Sequence, residues 1–282
     1  MDAQTLGPSD LVLSSGALSN PPFADVVAAA VAGGYKGISL WPGAYTPGRR
    51  PGVSYRDMRS MLADNGLVLW DVDAVVAWVG PDDPGPPYLE ESPEAVLFEL
   101  AAELSSRYVN VLLHGRGEAP VDAAAAVLSG VCERAAAHGL RAHMEFSRNR
   151  VVRAIPAAAE VVRATGRDDT GLLVDAWHVH FGPGSFADLA DIPGTLVTGV
   201  QLNDAPSEPP VDLAFATRHQ RLVPGEGAMD LVGLLRTLGR IGCQAPLTVE
   251  VFDADRLERL GCRGFARLLA DSVRGLQRRA AE

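Results

Sequence analysis

Residues 139–175 open with Gly139-Leu140-Arg141-Ala142-His143-Met144-Glu145-Phe146, continue through an alanine- and valine-rich stretch over Arg153–Thr165 that stops at Gly166, and close on Gly171-Leu172-Leu173-Val174-Asp175. A short apolar run, a run of helical period and a second short apolar run make a strand–helix–strand unit. Gly166 falls where the helix ends because glycine accepts the left-handed backbone conformation there. The unit recurs in both directions along the chain. Strands are predicted over Leu11–Ser15, Gly37–Leu40, Leu67–Val72, Tyr108–Leu113, Arg141–Phe146, Gly171–Asp175, Gly199–Asn203 and Leu247–Val251. Helices are predicted over Phe23–Ala32, Tyr55–Asn65, Pro93–Ser105, Val121–His138, Arg153–Thr165, Phe186–Asp191, Met229–Ile241 and Arg256–Arg279, with Ser92-Pro93 and Asp230 as helix starts.

Eight such units in 282 residues predict an α/β chain folded as a single (β/α)8 TIM barrel over residues 1–282 with a C-terminal helix. A doubly wound open sheet would carry a Gly-x-Gly-x-x-Gly turn after its first strand, and Gly115-Arg116-Gly117 lacks the third glycine. In a barrel the chemistry lies at the C-terminal ends of the strands and in the loops that follow them. Two loops on that face, Gly80–Pro93 and Asp204–Gly227, are long and proline-bearing and are read as lids.

Composition removes several classes. Hydrophobic residues at 47% and charged residues at 21% exclude a disordered chain. A net charge of −10 repels phosphate backbones and anionic lipid, so neither nucleic acid nor a membrane is expected as a partner. Lys36 is the only lysine among 25 basic residues, leaving 24 arginines. It precedes strand two, on the wrong face for a Schiff-base aldolase or a pyridoxal enzyme, and it is not in a P-loop. No Gly-x-Ser-x-Gly turn is present, and Cys132, Cys243 and Cys262 form neither a disulfide framework nor a Cys-x-x-Cys pair. Met1-Asp2-Ala3-Gln4 has no basic n-region and no apolar run approaches the ~18 residues that span a bilayer, so a cytoplasmic location is expected.

Four successive strands finish on polar groups: Glu145, Asp175, Gln201 and Glu250. A carboxylate inside an apolar strand must be offset by a cation or a proton. Neighbouring strands bring the four to one side of the mouth, where three carboxylates and an amide oxygen make a site for one divalent metal ion. Hard oxygen donors favour Mn²⁺ or Mg²⁺; Co²⁺ is admissible and Zn²⁺ fits less well. The competing reading pairs each carboxylate with an arginine. With an ion beside a ketone oxygen the neighbouring C–H becomes acidic, and Glu145 and Glu250 on opposite sides could remove and return its proton. Arg221 is a candidate to hold an anionic or hydroxyl group of the substrate, against a role as a lid-anchoring ion pair. His114 at the end of strand four and Trp41 after strand two are further substrate contacts, and Trp70, Asp71 and Asp73 around the end of strand three suit a wall with hydroxyl acceptors. His143 reads as a hydrogen-bonded core histidine one layer deeper, His138 as a helix-end partner, and His180 and His219 as loop residues.

Asp175-Ala176-Trp177-His178, Gln201-Leu202-Asn203-Asp204, Arg221-Leu222-Val223-Pro224-Gly225-Glu226-Gly227 and Thr248-Val249-Glu250 resemble the xylose isomerase-like TIM-barrel superfamily of sugar phosphate isomerases and epimerases, over nearly the whole chain. The resemblance implies that Glu145, Asp175 and Glu250 hold a divalent metal and that the two glutamates exchange protons with the substrate. Gln201 stands where many relatives carry histidine. With His178 three residues after Asp175, and with Arg218-His219-Gln220-Arg221, it is similar to members that act as 3-dehydroshikimate dehydratases, where His178 would be the acid that expels a β-hydroxyl. The function expected is a metal-dependent sugar or cyclitol isomerase or epimerase working through an enediolate on a small hydroxylated carbonyl substrate. The alternatives are a lyase of the 3-dehydroshikimate or inosose dehydratase type and a non-catalytic small-molecule-binding barrel. A homo-oligomer is compatible with this reading. A DNA-repair endonuclease on the same barrel is disfavoured by the acidic charge and scattered histidines.

Overall fold

The structure, a computed structural model, describes residues 5–45, 53–84 and 93–282. Eight parallel strands follow one another around a closed barrel: β1 (Leu11–Ser14), β2 (Gly37–Leu40), β3 (Val68–Val79), β4 (Tyr108–Gly115), β5 (Arg141–Glu145), β6 (Thr170–Asp175), β7 (Val197–Leu202) and β8 (Leu247–Val249). Closure pairs β8 with β1, Val12 lying opposite Thr248, so every strand has two neighbours and no hydrogen-bonding edge is left open. The helices are α1 (Phe23–Gly33), α2 (Tyr55–Asp64), α3 (Glu94–Glu103), α4 (Val121–Ala136), α5 (Ile155–Ala164), α6 (Ala176–His180), α7 (Leu213–His219), α8 (Leu231–Arg240) and α9 (Ala254–Ala281). The barrel and C-terminal helix expected from the sequence are therefore what the chain forms. Among the described residues no helix is long and apolar enough to cross a membrane.

Parity along the strands separates two environments. Asn110 and His143 lie opposite one another on β4 and β5 and face the lumen, whereas Val109 and Val111 alternate onto the outer face with the helices. The outer layer is apolar: Phe98 of α3, Leu128 of α4 and Phe265, Leu269 and Val273 of α9 are all fully buried. The upper lumen is polar, with Ser14, Asn110, Asp175, Gln201, Asn203 and Glu250 each buried.

Several boundaries differ from the sequence reading. β3 continues seven residues past Val72, to Val79, because Asp71-Val72-Asp73-Ala74-Val75-Val76 keeps pairing with β4 across a register shift between Val72 and Val75. Trp70 and Asp71 thus lie early in the strand, deep in the barrel, and not at its mouth; Trp70 packs with Leu6, Val12 and Tyr108. The helix after β6 is the short α6, and Phe186–Asp191 is a 3-10 helix. The expected Asp204–Gly227 loop contains α7, started by Asp212, whose side chain accepts from the Phe215 N–H at 2.9 Å. α9 breaks at Gly261, which adopts φ 65°. Ser92 and most of the Gly80–Pro93 lid lie outside the described residues; Asp230 does cap α8, accepting from the Gly233 N–H at 2.8 Å.

One carboxylate gathers the loop after β7. Asp204, fully buried, accepts backbone N–H groups of Ala205 at 2.9 Å, Gly225 at 2.8 Å, Gly227 at 3.0 Å and Met229 at 3.1 Å. Its own backbone pairs with Leu222 in both directions. Arg221 is carried on this segment. Asp204→Ala leaves the buried N–H groups of Ala205 and Met229 and the two glycine N–H groups without their acceptor and is expected to destabilise by about 2–4 kcal/mol; urea denaturation measures the loss, and limited proteolysis should show new cleavage between residues 205 and 229.

Candidate active site

Strand ends deliver the reactive groups, and hydrogen bonds fix them. Asp175 closes β6 and caps α6: its Oδ1 accepts from the Trp177 N–H at 2.9 Å and from Asn203 Nδ2 at 2.7 Å. Its Oδ2 accepts from Arg221 Nη1 at 2.9 Å, and the same nitrogen reaches Glu250 Oε2 at 3.2 Å. Glu250 follows β8, with Oε1 receiving Ser14 Oγ at 3.0 Å and Trp41 Nε1 at 3.2 Å. Glu145 ends β5 with Oε2 held by Asn110 Nδ2 at 2.7 Å and Oε1 at 3.1 Å from His178 Nε2; His178 is 3.7 Å from Asp175 Oδ2. Asn110 donates its second N–H to Asp73 Oδ1 at 2.7 Å, and Asp73 Oδ2 receives Gln201 Nε2 at 3.4 Å. Since β3 and β7 are four strands apart in a ring of eight, this last contact crosses the lumen.

The pairing of carboxylates with arginines is realised in part: one guanidinium, Arg221, serves two of them. Burial alone would favour its neutral form, but Asp175, Glu250 and Glu145 more than offset this and keep it charged. Its plane lies 4.7 Å above Phe252, and its Nε donates to Thr217 O at 2.9 Å. The buried carboxyls of Glu145, Asp175 and Glu250 and the half-buried one of Asp73 then lie around one buried arginine, and the titration of Asp73, Glu145 and Glu250 shows the strain. Burial raises the Asp73 carboxyl well above the usual range, with Glu145 and Glu250 adding repulsion. Burial likewise pushes Glu250 up to about 7, against the pull of Arg221 and with the repulsion of Asp175 and Glu145. Glu145 goes the other way: burial would raise it, but the hydrogen bond and charge of His178, the Asn110 amide and the charge of Arg150 bring it to about 2.

A divalent ion fits this deficit of positive charge. Ligand atoms of Glu145, Asp175 and His178 lie within 4.8 Å of one another. Gln201 Oε1 is buried and has no hydrogen-bond partner, as an amide oxygen reserved for a cation would be. The histidine nitrogen widens the donor set beyond the all-oxygen site read from the sequence, toward metals that accept nitrogen.

The remaining candidates sit in differing surroundings, with Trp41 in contact with the cluster. Trp41 is pinned by its bond to Glu250 and by a 2.9 Å hydrogen bond from its backbone N–H to Ser15 Oγ. Gly16 makes room for its ring: a Cβ there would sit 2.7 Å from the indole. His114 lies against the Arg150 guanidinium, and burial, aided by that charge, lowers it to about 4, so the ring is neutral at physiological pH. His143 is in the lumen 3.4 Å from Asp71 and stacked on Tyr108, but neither ring nitrogen makes a hydrogen bond, unlike the bonded core histidine expected. His180 bonds Pro206 O and His219 stacks on Phe215, both away from the carboxylates, while the His138 ring meets Phe98. Asn110 was overlooked by the sequence reading, although the argument that singled out the carboxylates applies to it: it is the polar residue in Val109-Asn110-Val111-Leu112-Leu113.

Residues 27–276 match the family described as xylose isomerase-like TIM barrel, and the chain belongs to that family. A 3-dehydroshikimate dehydratase of Pseudomonas aeruginosa is 34% identical over 159 residues, 55% of this chain and 25% of that protein. An inosose isomerase of Bacillus velezensis is 30% identical over 130 residues, 45% of each chain. The matched part is thus under half the length of these curated relatives. Among solved structures, the IOLI protein with a binding zinc atom superposes with a TM-score of 0.84 at 20% identity, over 96% of this chain and 99% of that one. An L-ribulose 3-epimerase gives 0.72 at 17% identity, over 97% and 96%. Both share the fold.

The raised Glu250 carboxyl makes the metal-free chain pH-sensitive. Its proton is held more tightly folded than unfolded, so its contribution to stability is full below its ordinary 4.5, falls as pH rises through about 7 and is level above. Glu250→Gln, which cannot ionise, should therefore gain on the order of 3 kcal/mol relative to the wild type between pH 4.5 and 8. Chemical denaturation in EDTA across this range measures the difference; a gap that does not grow with pH contradicts the assignment.

Proposed function

We propose that the chain is a divalent-metal-dependent enzyme that removes a proton next to the carbonyl of a small hydroxylated substrate, acting as an isomerase or epimerase of a sugar or cyclitol. The observation that carries this is the joining of Glu145, Asp175, His178 and Glu250 around one buried deficit of positive charge, with the Gln201 oxygen unpartnered beside it. Glu145, Asp175, Gln201 and Glu250 would hold the ion, with Mn²⁺ or Mg²⁺ suited to the oxygens and the His178 nitrogen extending the range to Co²⁺ and Zn²⁺. When bound, it supplies Lewis-acid polarisation of a carbonyl oxygen.

The chain's own groups supply the proton chemistry. Glu250, anchored by Ser14, Trp41 and Arg221, is the first proton carrier; its value of about 7 is that of the metal-free chain and would fall beside a bound ion, toward the carboxylate that acts as base. Glu145 stays anionic and is steered by two fixed donors, so it serves as the counter-charge and the second proton carrier. Arg221, held between Asp175 and Glu250 and stacked on Phe252, closes the polar side of the site, and Trp41 closes an apolar side. His114, neutral, is a hydrogen-bonding contact for a substrate hydroxyl.

Elimination of water is the second reading, favoured by His178. Its Nε2 touches Glu145, so the cluster contains a third proton carrier that a two-carboxylate epimerisation does not require, and the Pseudomonas aeruginosa relative is named for such a reaction. Proton NMR in D₂O with ketoses, inososes and 3-dehydroshikimate separates the outcomes. Solvent deuterium entering next to the carbonyl without loss of mass supports isomerisation; loss of water supports elimination. Glu145→Gln and Glu250→Gln should each lower kcat/KM by at least about 10³-fold. His178→Asn should abolish elimination yet leave deuterium exchange if elimination is the reaction. Turnover that survives both glutamate substitutions overturns the proposal.

A further inference from the structure

Gln201 can present either end of its amide to the centre of the cluster, and only its oxygen can bind a cation. Something must decide which end faces inward. The contacts of Gln201 with its own strand neighbours do not: its side chain hydrogen-bonds across the lumen, from Nε2 to Asp73 Oδ2 at 3.4 Å. Asp73 is itself held by the Asn110 amide at 2.7 Å, and Asn110 spends its other N–H on Glu145 Oε2, also at 2.7 Å. Each hydrogen bond in this run goes from an amide nitrogen to a carboxylate oxygen, and the two amide oxygens, Oε1 of Gln201 and Oδ1 of Asn110, are left without a partner.

We propose that Asp73 is a positioning residue for the metal site: by accepting the Gln201 N–H across the barrel it turns the amide oxygen toward the ion, with Asn110 as the clamp that sets Asp73 and Glu145 at once. This rests on the reading of Gln201 and Glu145 as ion-holding groups. Nothing in the composition of β3 marks Asp73 for the role, because the pairing is made between opposite strands. Outer partners of this kind fix ligand orientation, and their loss typically costs about 10–100-fold in metal affinity.

The test measures Mn²⁺ affinity by isothermal titration calorimetry or electron paramagnetic resonance, with no substrate present. Asp73→Asn keeps the shape but offers an N–H, which favours the reversed amide and places the Gln201 nitrogen inward; affinity should fall by about 10–100-fold while the metal-free protein stays folded by circular dichroism. Gln201→Glu supplies the control. With a carboxylate at position 201 both ends are oxygens and there is no orientation to set, so adding Asp73→Asn to this background should leave Mn²⁺ affinity unchanged or raised. An equal loss in both backgrounds shows that Asp73 acts only through its charge and overturns the proposal, as does an unchanged affinity in the single variant. Should Asp73→Asn fail to fold, Asp73→Ala, which leaves the amide unpartnered, is compared in the same two backgrounds with a smaller loss expected. Failure of the underlying reading looks different: the wild type then binds no Mn²⁺, or Glu145→Gln and Gln201→Ala bind it as well as the wild type.

Discussion

Burying negative charge is the constraint on which the mouth of this barrel depends. Glu145, Asp175 and Glu250 are brought out of water with the half-buried Asp73 close by, and the buried Arg221 guanidinium meets two of them directly, Asp175 and Glu250. An unpaired buried carboxylate costs several kcal/mol, which a folded domain of ordinary stability tolerates only where it is offset. The site offsets it by three local means: backbone and side-chain N–H donors on Asp175, Asn110 shared between two carboxylates, and a proton retained on Glu250 to about pH 7. What is left over is a place for added positive charge.

The same constraint explains why the loop after β7 is so firmly tied. Arg221 neutralises Asp175 and Glu250 only if its segment stays folded against the barrel, and the buried Asp204 carboxylate accepts four backbone N–H groups to keep it there. Thr217 of α7 joins the arrangement, accepting the Trp177 indole N–H at 2.9 Å while its carbonyl receives Arg221 Nε. Loop and active centre are thus one hydrogen-bonded unit. A substitution in either is felt in the other, and the effects of neighbouring substitutions here should not add.

Glu145 and Glu250 show how environment separates chemically similar groups. Both are buried glutamates at strand ends, yet one is held near 2 by His178, Asn110 and Arg150 and the other rises to about 7 because the guanidinium it shares is outweighed by burial and two neighbouring anions. Pairs whose environments drive their pKa values apart are the usual mark of divided acid and base roles. His178 adds a nitrogen to this group, 3.1 Å from Glu145 and 3.7 Å from Asp175.

The sequence by itself determined the barrel, because the strand–helix units announce themselves by local hydrophobic period, five of the eight with a glycine at the helix end, and it singled out Glu145, Asp175, Gln201 and Glu250 as neighbours at the mouth, because the order of strands around a barrel follows the order along the chain. Only the tertiary structure decided what those groups touch. The length of β3 depends on pairing with β4 through an irregular register, which moved Trp70 and Asp71 into the depths while bringing Asp73 to the site. Arg221 settled between two carboxylates through a loop whose path is set by Asp204, and Asp73 met Gln201 from the opposite wall. Local period records which face of an element is apolar; contacts across a lumen depend on closure and register, which no short stretch of chain encodes.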